Sequence, residues 1–225
     1  VFNYLNGRLK LGEKDILPEL LYQYQQALKR GLLYQGKWLD GNIYLNLLNV
    51  VSGVIRLTDD LEQKAELVQW RQQFLEEEKA HLPARHREET YAYAQAYLQY
   101  QEGNYGAAYR MLSQYKYPDV ISDISRRLLL IRVYFDANDP DLFDAQVKSA
   151  LMYISRAEAV SEPKRLAYNK FVRLTRRLHA LRDQSIPVQK IHQLEAEIMA
   201  PEPLECRQWL REKCQQLLAS AVPDP

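Results

Sequence analysis

The sequence predicts an all-α protein, an α-α superhelix of antiparallel helical hairpins, and three observations carry that expectation. Long segments repeat apolar residues at spacings of three and four, with few strand-like alternations between them. Glycine and proline are sparse, at 8 and 10 of 225 residues, and several prolines stand at the ends of the periodic segments. The third observation is 92-AYAQAYLQYQEGNYGAAYRMLSQY-115, where Ala92, Ala96 and Ala108 alternate with larger residues on two helical patterns parted by Glu102-Gly103-Asn104. Small residues let two helices cross closely, and hairpins of this kind are usually stacked into arrays.

Taken in order, the first helix is expected from about Lys14 to Lys29, with Leu17, Leu20, Leu21, Tyr24 and Leu28 as its apolar stripe and Gly31 at its end. The piece 36-GKWLDGN-42 reads as a connector, with Asn42 as cap for a helix over 43–57. Asp59 or Asp60 caps a third helix whose inner face is expected at Leu61, Ala65, Val68, Phe74 and Leu75, and which stops near His81-Leu82-Pro83. A fourth helix over 84–102 and a fifth over 105–115 then form a hairpin, with Gly103 in the turn and Ala96 facing Ala108. After a turn at Lys116-Tyr117-Pro118-Asp119, a strongly apolar helix over 120–137 contains 128-LLLIRVYF-135. Asn138-Asp139-Pro140 breaks it; Asp139 offers an N-cap with Pro140 at the first helical position, and the next helix runs to about Ser155. Three further helices are expected over 163–184, 187–199 and 203–220, divided by proline-bearing pieces.

The second hairpin echoes the first. Ala145 follows Ala108, and Asn138-Asp139 follows Gly103-Asn104, at offsets of roughly 35 residues, the length of one helical pair that buries its apolar face on its neighbours. The clearest repeats are therefore 84–117 and 120–156. No low-complexity linker interrupts the chain, so 1–225 is expected to form a single continuous helical-repeat domain, and a chain that starts at Val1 suits a fragment of a longer array.

The hairpin at 92–115 resembles a tetratricopeptide repeat. Ala96 and Ala108 match the two small, tightly packed positions, Gly103 the inter-helix turn, Tyr105 the aromatic after it and Leu112 a large residue of the second helix. Ala92 stands where that family usually places tryptophan, and Tyr115 replaces a late small residue. The wider arrangement is similar to divergent repeat proteins of Bacteroidetes bacteria, on the stretches 72-QQFLEEEKAHLP-83, 134-YFDANDPDLF-143 and 168-YNKFVRLTRRLHALRD-183. The resemblance implies a TPR-like fold that binds peptides or partner proteins in a concave groove. The family's best-known peptide clamp, built on lysine, arginine and asparagine, has no full counterpart here.

Composition and motifs narrow the chemistry. Apolar residues make up 47% and charged residues 26%, with a formal net charge of +1. The best apolar run, 43-IYLNLLNVVSGVIRL-57, is short for a bilayer and carries Asn46 and Asn49, so no transmembrane insertion is expected. Cys206 and Cys214 are expected on one helix, about 12 Å apart along its axis and too distant for a disulfide. Their shortage fits a reducing, cytoplasmic compartment. His81, His86, Glu88 and Glu89 come nearest to a metal cluster, but the spacing of the histidines across Pro83 does not give the i, i+4 geometry of a helical pair. Glu76, Glu77 and Glu78 read as a solvated face, because adjacent helical carboxylates diverge instead of converging on one substrate. Nucleophile elbow, phosphate loop and dinucleotide fingerprint are all missing from the sequence.

Two features remain as candidate interaction surfaces. Between Lys164 and Arg182 stand seven basic residues and no acidic one, with Lys170, Arg173, Arg176 and Arg177 on one face and Phe171, Leu174, Leu178 and Leu181 as the buried stripe. Such a helix suits phosphates, an anionic membrane surface or an acidic protein, and equally suits pairing with acidic residues of its own neighbours. Tyrosine is the other anomaly, at 16 of 225 residues. Tyr93, Tyr97 and Tyr100 suit a recognition groove if they form a contiguous wet patch and a core if they are buried. The expectation is a non-catalytic scaffold for an unknown protein or peptide, acidic in character, that is not an enzyme and needs no cofactor or metal. The alternative is binding of nucleic acid or an anionic surface through the basic helix 164–182.

Overall fold

The computed structural model describes residues 15–115, 117, 119–182 and 188–221. Among them are ten α-helices, one 3-10 turn and one pair of two-residue strands. The chain divides into two compact units, Val1–Gln101 and Glu102–Pro225, and each is described by itself. The division falls inside the stretch that the sequence joins as one hairpin.

In the first unit, α1 (Leu17–Lys29) takes Pro18 in its first turn, where no intrahelical N–H is lost, and ends at Gly31 with φ +70°. Next come β1 (Tyr34–Gln35) and β2 (Trp38–Leu39), an antiparallel pair in the register Tyr34 to Leu39. This pair lies in the region read as a plain connector. Gly36 sits at φ +64° as the first of its two turn residues, which is the glycine requirement of a tight hairpin. Asp40, not Asn42, caps α2 (Gly41–Leu57): its carboxylate accepts from the amides of Asn42 and Ile43. Asp60 caps α3 (Leu61–Glu77) through the amide of Gln63. A 3-10 turn (Glu78–His81) follows, and α4 (Arg87–Gln101) starts three residues later than expected. Residues 84–86 form a turn, and the Arg87 side chain closes the gap by donating to the carbonyls of Ala80 and Leu82.

The first unit packs α1 on α2 and α2 on α3 as hairpin-like pairs. Nine residues of α2 are buried, and Asn42, Asn46, Asn49, Arg56 and Leu57 are its exposed ones, so the apolar run is a packed core helix. Its Gly53 lets α1 approach closely, since an added Cβ would lie 2.9 Å from Leu17 Cδ1. Fully buried Tyr44 stacks on Phe74 and donates its hydroxyl to the Leu75 carbonyl at 2.7 Å. The inner face of α3 differs from the expected one. Phe74 and Leu75 are buried, but they are joined by Leu67, Trp70 and Arg71, while Leu61, Ala65 and Val68 face solvent. Two apolar stripes run along this helix, and packing against α2 selects the one that contains Trp70 and Phe74, whose rings stack at 5.5 Å.

Three phenols of this unit make its stability fall with alkali. Burial raises Tyr91 to about 12, helped by its bond to Glu76, and raises Tyr34 and Tyr44 further. An unfolded phenol titrates near pH 10. The unfolded chain therefore loses these protons first, so the stabilisation is complete below about pH 10 and is lost as pH rises through the folded values. Urea unfolding between pH 8 and pH 12 should show a falling midpoint above pH 10. Tyr44→Phe should flatten that fall, and a midpoint flat to pH 12 in the parent would contradict it.

In the second unit, α5 (Tyr105–Gln114), α6 (Val120–Asp136), α7 (Pro140–Ser155), α8 (Glu162–Ala180), α9 (Val188–Met199) and α10 (Arg207–Ala221) follow one another. The pairs α6–α7 and α9–α10 are hairpin-like, and α7 and α10 both pack on α8. Asp139 caps α7 through the amide of Leu142, with Pro140 in the first turn as expected, and Asn138 makes the turn at φ +56°. The core is aromatic: Phe143 stacks on His179 at 4.2 Å, while Phe135 meets Phe143, His179 and Trp209 edge-on. The last helix starts later than 203. Cys206 lies in the preceding turn at φ +49°, so the two cysteines do not share a helix; both are free thiols. Arg207 holds this turn by donating to the carbonyls of Ile198, Ala200 and Glu202.

Candidate functional site

The basic helix is α8, and its sequence pattern decides which side is available. Ala167, Tyr168, Phe171, Val172, Leu174, Thr175 and Leu178 form the buried stripe, and Leu181, expected there too, is only half-buried. Lys164, Leu166, Arg173, Arg176 and Arg177 face outward, with Leu166 62% exposed. The sequence-predicted basic residues then separate into two kinds. Lys170 is ion-paired with Glu202 at 2.5 Å, and its hydrogen bond and charge hold the Glu202 carboxyl below the usual range. Arg177 pairs with Glu197 at 2.5 Å. Arg173 and Arg176 are exposed and form no ion pair among the described residues. Arg182 is turned inward, where it donates to the Phe135 carbonyl and lies 4.7 Å over that ring.

The tyrosines of α4 are placed differently. Tyr100 is buried and Tyr93 and Tyr97 are half-buried, with the Tyr97 and Tyr100 rings 6.4 Å apart. They form no fully exposed aromatic patch. The acidic run has more structure than a solvated face: Glu76 accepts from the Tyr91 hydroxyl and Glu78 from Tyr34, both at 2.8 Å, while Glu77 stays exposed. His81 contacts the Lys37 carbonyl and Glu88 pairs with Lys79. No group of three metal-ligating side chains converges among the described residues. Nor is any helix among them long and apolar enough to cross a membrane.

One site was invisible in the sequence. Between α6 and α7 lies an open groove of about 400 Å³, with Val120, Met152, Tyr153 and Arg156 on its walls and Arg127 fixed beneath. Buried Asp123 organises it by accepting from Arg126 at 2.7 Å and Arg127 at 2.9 Å, and the Arg127 guanidinium also donates to Ser149 and lies 4.2 Å over the Tyr153 ring. Arg127 and Ser149 stand far apart in the chain, and neither carries a spacing signal. Compared with family models, with curated proteins and with solved structures, the chain matches none, and its assignment rests on the fold alone: an all-α protein whose helices pack in hairpin-like pairs, the plan of generic helical-repeat proteins.

Proposed function

We propose that this protein is a non-catalytic recognition scaffold of TPR-like character, and that the outer face of α8 receives an acidic segment of a protein or peptide partner. Arg173 and Arg176 carry this reading: they are exposed and without an ion pair among the described residues. Guanidiniums left unsatisfied on a rigid helix suit bidentate capture of carboxylates. Hairpin-paired helices without a convergent metal-ligating cluster among the described residues support scaffolding over chemistry.

Nucleic-acid binding is the second reading, favoured by the continuous basic stretch 164–182. It is weakened by the engagement of Lys170 and Arg177 with Glu202 and Glu197 and by the inward turn of Arg182, which take three of the seven basic residues out of a row that would follow a phosphate backbone. The two are separated by titrating a fluorescent glutamate-rich peptide and a single-stranded oligonucleotide of equal charge against the protein and its R173Q/R176Q variant. Peptide binding should weaken about tenfold in the variant, as loss of two exposed charge contacts gives. Preferential binding of the oligonucleotide, with a steep salt dependence, would replace the acidic-protein reading with the second one.

A further inference from the structure

The groove between α6 and α7 forms because two stripes of the sequence meet across the hairpin. Val120, Asp123 and Arg127 share one face of α6, at spacings of three and four. Ser149, Met152 and Tyr153 share one face of α7, which Arg156 continues at the C-cap. The lining therefore runs over roughly two helical turns, about 10 Å. Apolar surface is open there: Met152 is 57% exposed, and half-buried Val120 and Tyr153 stand with it. A methionine so accessible to water is adaptable contact surface for an apolar body.

Two guanidiniums flank this surface in different states. Arg127 is held in place: Nε donates to Asp123 at 2.9 Å, Nη1 donates to Ser149 at 2.8 Å, and the head lies 4.2 Å over the Tyr153 ring. Its other terminal nitrogen, Nη2, makes no hydrogen bond among the described residues, so donors remain on a head already fixed by the fold. Arg156 stands one helical turn beyond Tyr153, exposed and with no side-chain partner among the described residues. Asp123 offsets the charge of Arg127, and Arg126, also paired with Asp123, lies outside the lining near the Tyr117 ring. Of the carboxylates nearby in sequence, Asp119 caps α6 through Ser122 and Glu158 lies outside the lining. Arg156 is thus the lining cation without a counter-charge, beside donors of Arg127 that need an acceptor.

We propose that this groove binds a small monocarboxylic acid with an apolar body, its carboxylate taken by Arg156 beside the Nη2 end of Arg127 and its chain laid on Met152 and Val120. One uncompensated positive charge matches one carboxylate, whereas a phosphate dianion would bring excess charge close to Asp123. The volume of about 400 Å³ lies within the range of small-molecule sites. An extended chain of about eight carbons, with bonds of about 1.5 Å, spans the lining, which would hold only about three residues of extended peptide. The site is distinct from the outer face of α8 and shares none of the residues that carry that reading.

Titration of the full chain with sodium octanoate to about 10 mM, followed by the ¹³C-methyl signals of its methionines, tests the site, because Met152 lines the groove and Met111 and Met199 do not. The Met152 signal, assigned by its loss in Met152→Leu, should move along a saturating curve with a midpoint around a millimolar, the affinity of a ligand of about ten heavy atoms. The other two signals should stay in place. Octanamide, the same chain without the charge, should bind about tenfold more weakly, and so should octanoate to Arg156→Gln, whose unfolding midpoint checks that the exposed substitution leaves the fold intact. R173Q/R176Q should bind octanoate like the parent. No saturating Met152 shift, a shift of all three methionines together, or equal binding of octanamide or by Arg156→Gln each overturns the proposal. So does loss of octanoate binding in R173Q/R176Q, which would move the site to α8. Displacement of octanoate by inorganic phosphate or by the glutamate-rich peptide at lower concentration overturns it too, in favour of a phosphate or a peptide as occupant.

Discussion

Phe143→Ala is expected to lower the stability of the second unit by about 3–5 kcal/mol, the range for removing a buried aromatic ring. Phe143 has no exposed surface and is held on two sides, stacked on His179 of α8 at 4.2 Å and meeting Phe135 of α6 edge-on at 5.9 Å. The cavity left by alanine would open between three helices, none of which can close it without leaving the other two. Phe143→Leu keeps most of the volume and should cost less than half as much. Leu142→Ala, one residue earlier but exposed, should fall within about 0.5 kcal/mol of the parent. Urea unfolding followed by Trp209 fluorescence, in a background with Trp38 and Trp70 replaced by Phe, reads this unit directly. A Phe143→Ala midpoint close to that of Leu142→Ala would contradict the packing described.

Asp123→Ala should have the second largest effect, a loss of about 2–3 kcal/mol. Its carboxylate is buried and ion-paired with both Arg126 and Arg127, whose side chains are themselves mostly covered. Removing it leaves two guanidiniums without their counter-charge and frees the Arg127 head from the geometry in which Ser149 and Tyr153 receive it. The figure lies below that of a fully buried pair because some water reaches the arginines. Arg126→Met should cost clearly less, since Asp123 keeps Arg127. Urea midpoints of the two variants in the same Trp209 background decide the matter: equal losses would mean that Asp123 serves mainly one arginine.

Helices were the most legible part of the sequence because their signals are local. Asp60, Asp139 and Pro140 stand where capping chemistry puts them, and Gly31 and Asn138 adopt the positive φ that ends a helix. What depended on distant partners was not legible. The ridge Leu61, Ala65, Val68 and the row Leu67, Trp70, Phe74 are equally good helical stripes, and only the position of α2 selects between them. Asp40 outcompeted Asn42 as a cap because the helix begins at Gly41, two residues before the apolar run. The basic face of α8 was recognised by composition, but Glu197 and Glu202, which engage two of its cations, come from later segments. Arg127 gave no signal, since its role depends on an aspartate of its own helix and on two residues of the next.

Cys214 lies fully buried in α10, and burial pushes its thiol up to about 12. A thiol in that state does not react with alkylating reagents while the helix is seated, because neither access nor thiolate is present. Each modification at Cys214 therefore records one opening of α10 from its neighbours. The second unit thus carries its own clock for local unfolding, with no probe to install: at reagent concentrations where closing outruns labelling, the rate gives the opening equilibrium, and at high reagent it gives the opening rate itself.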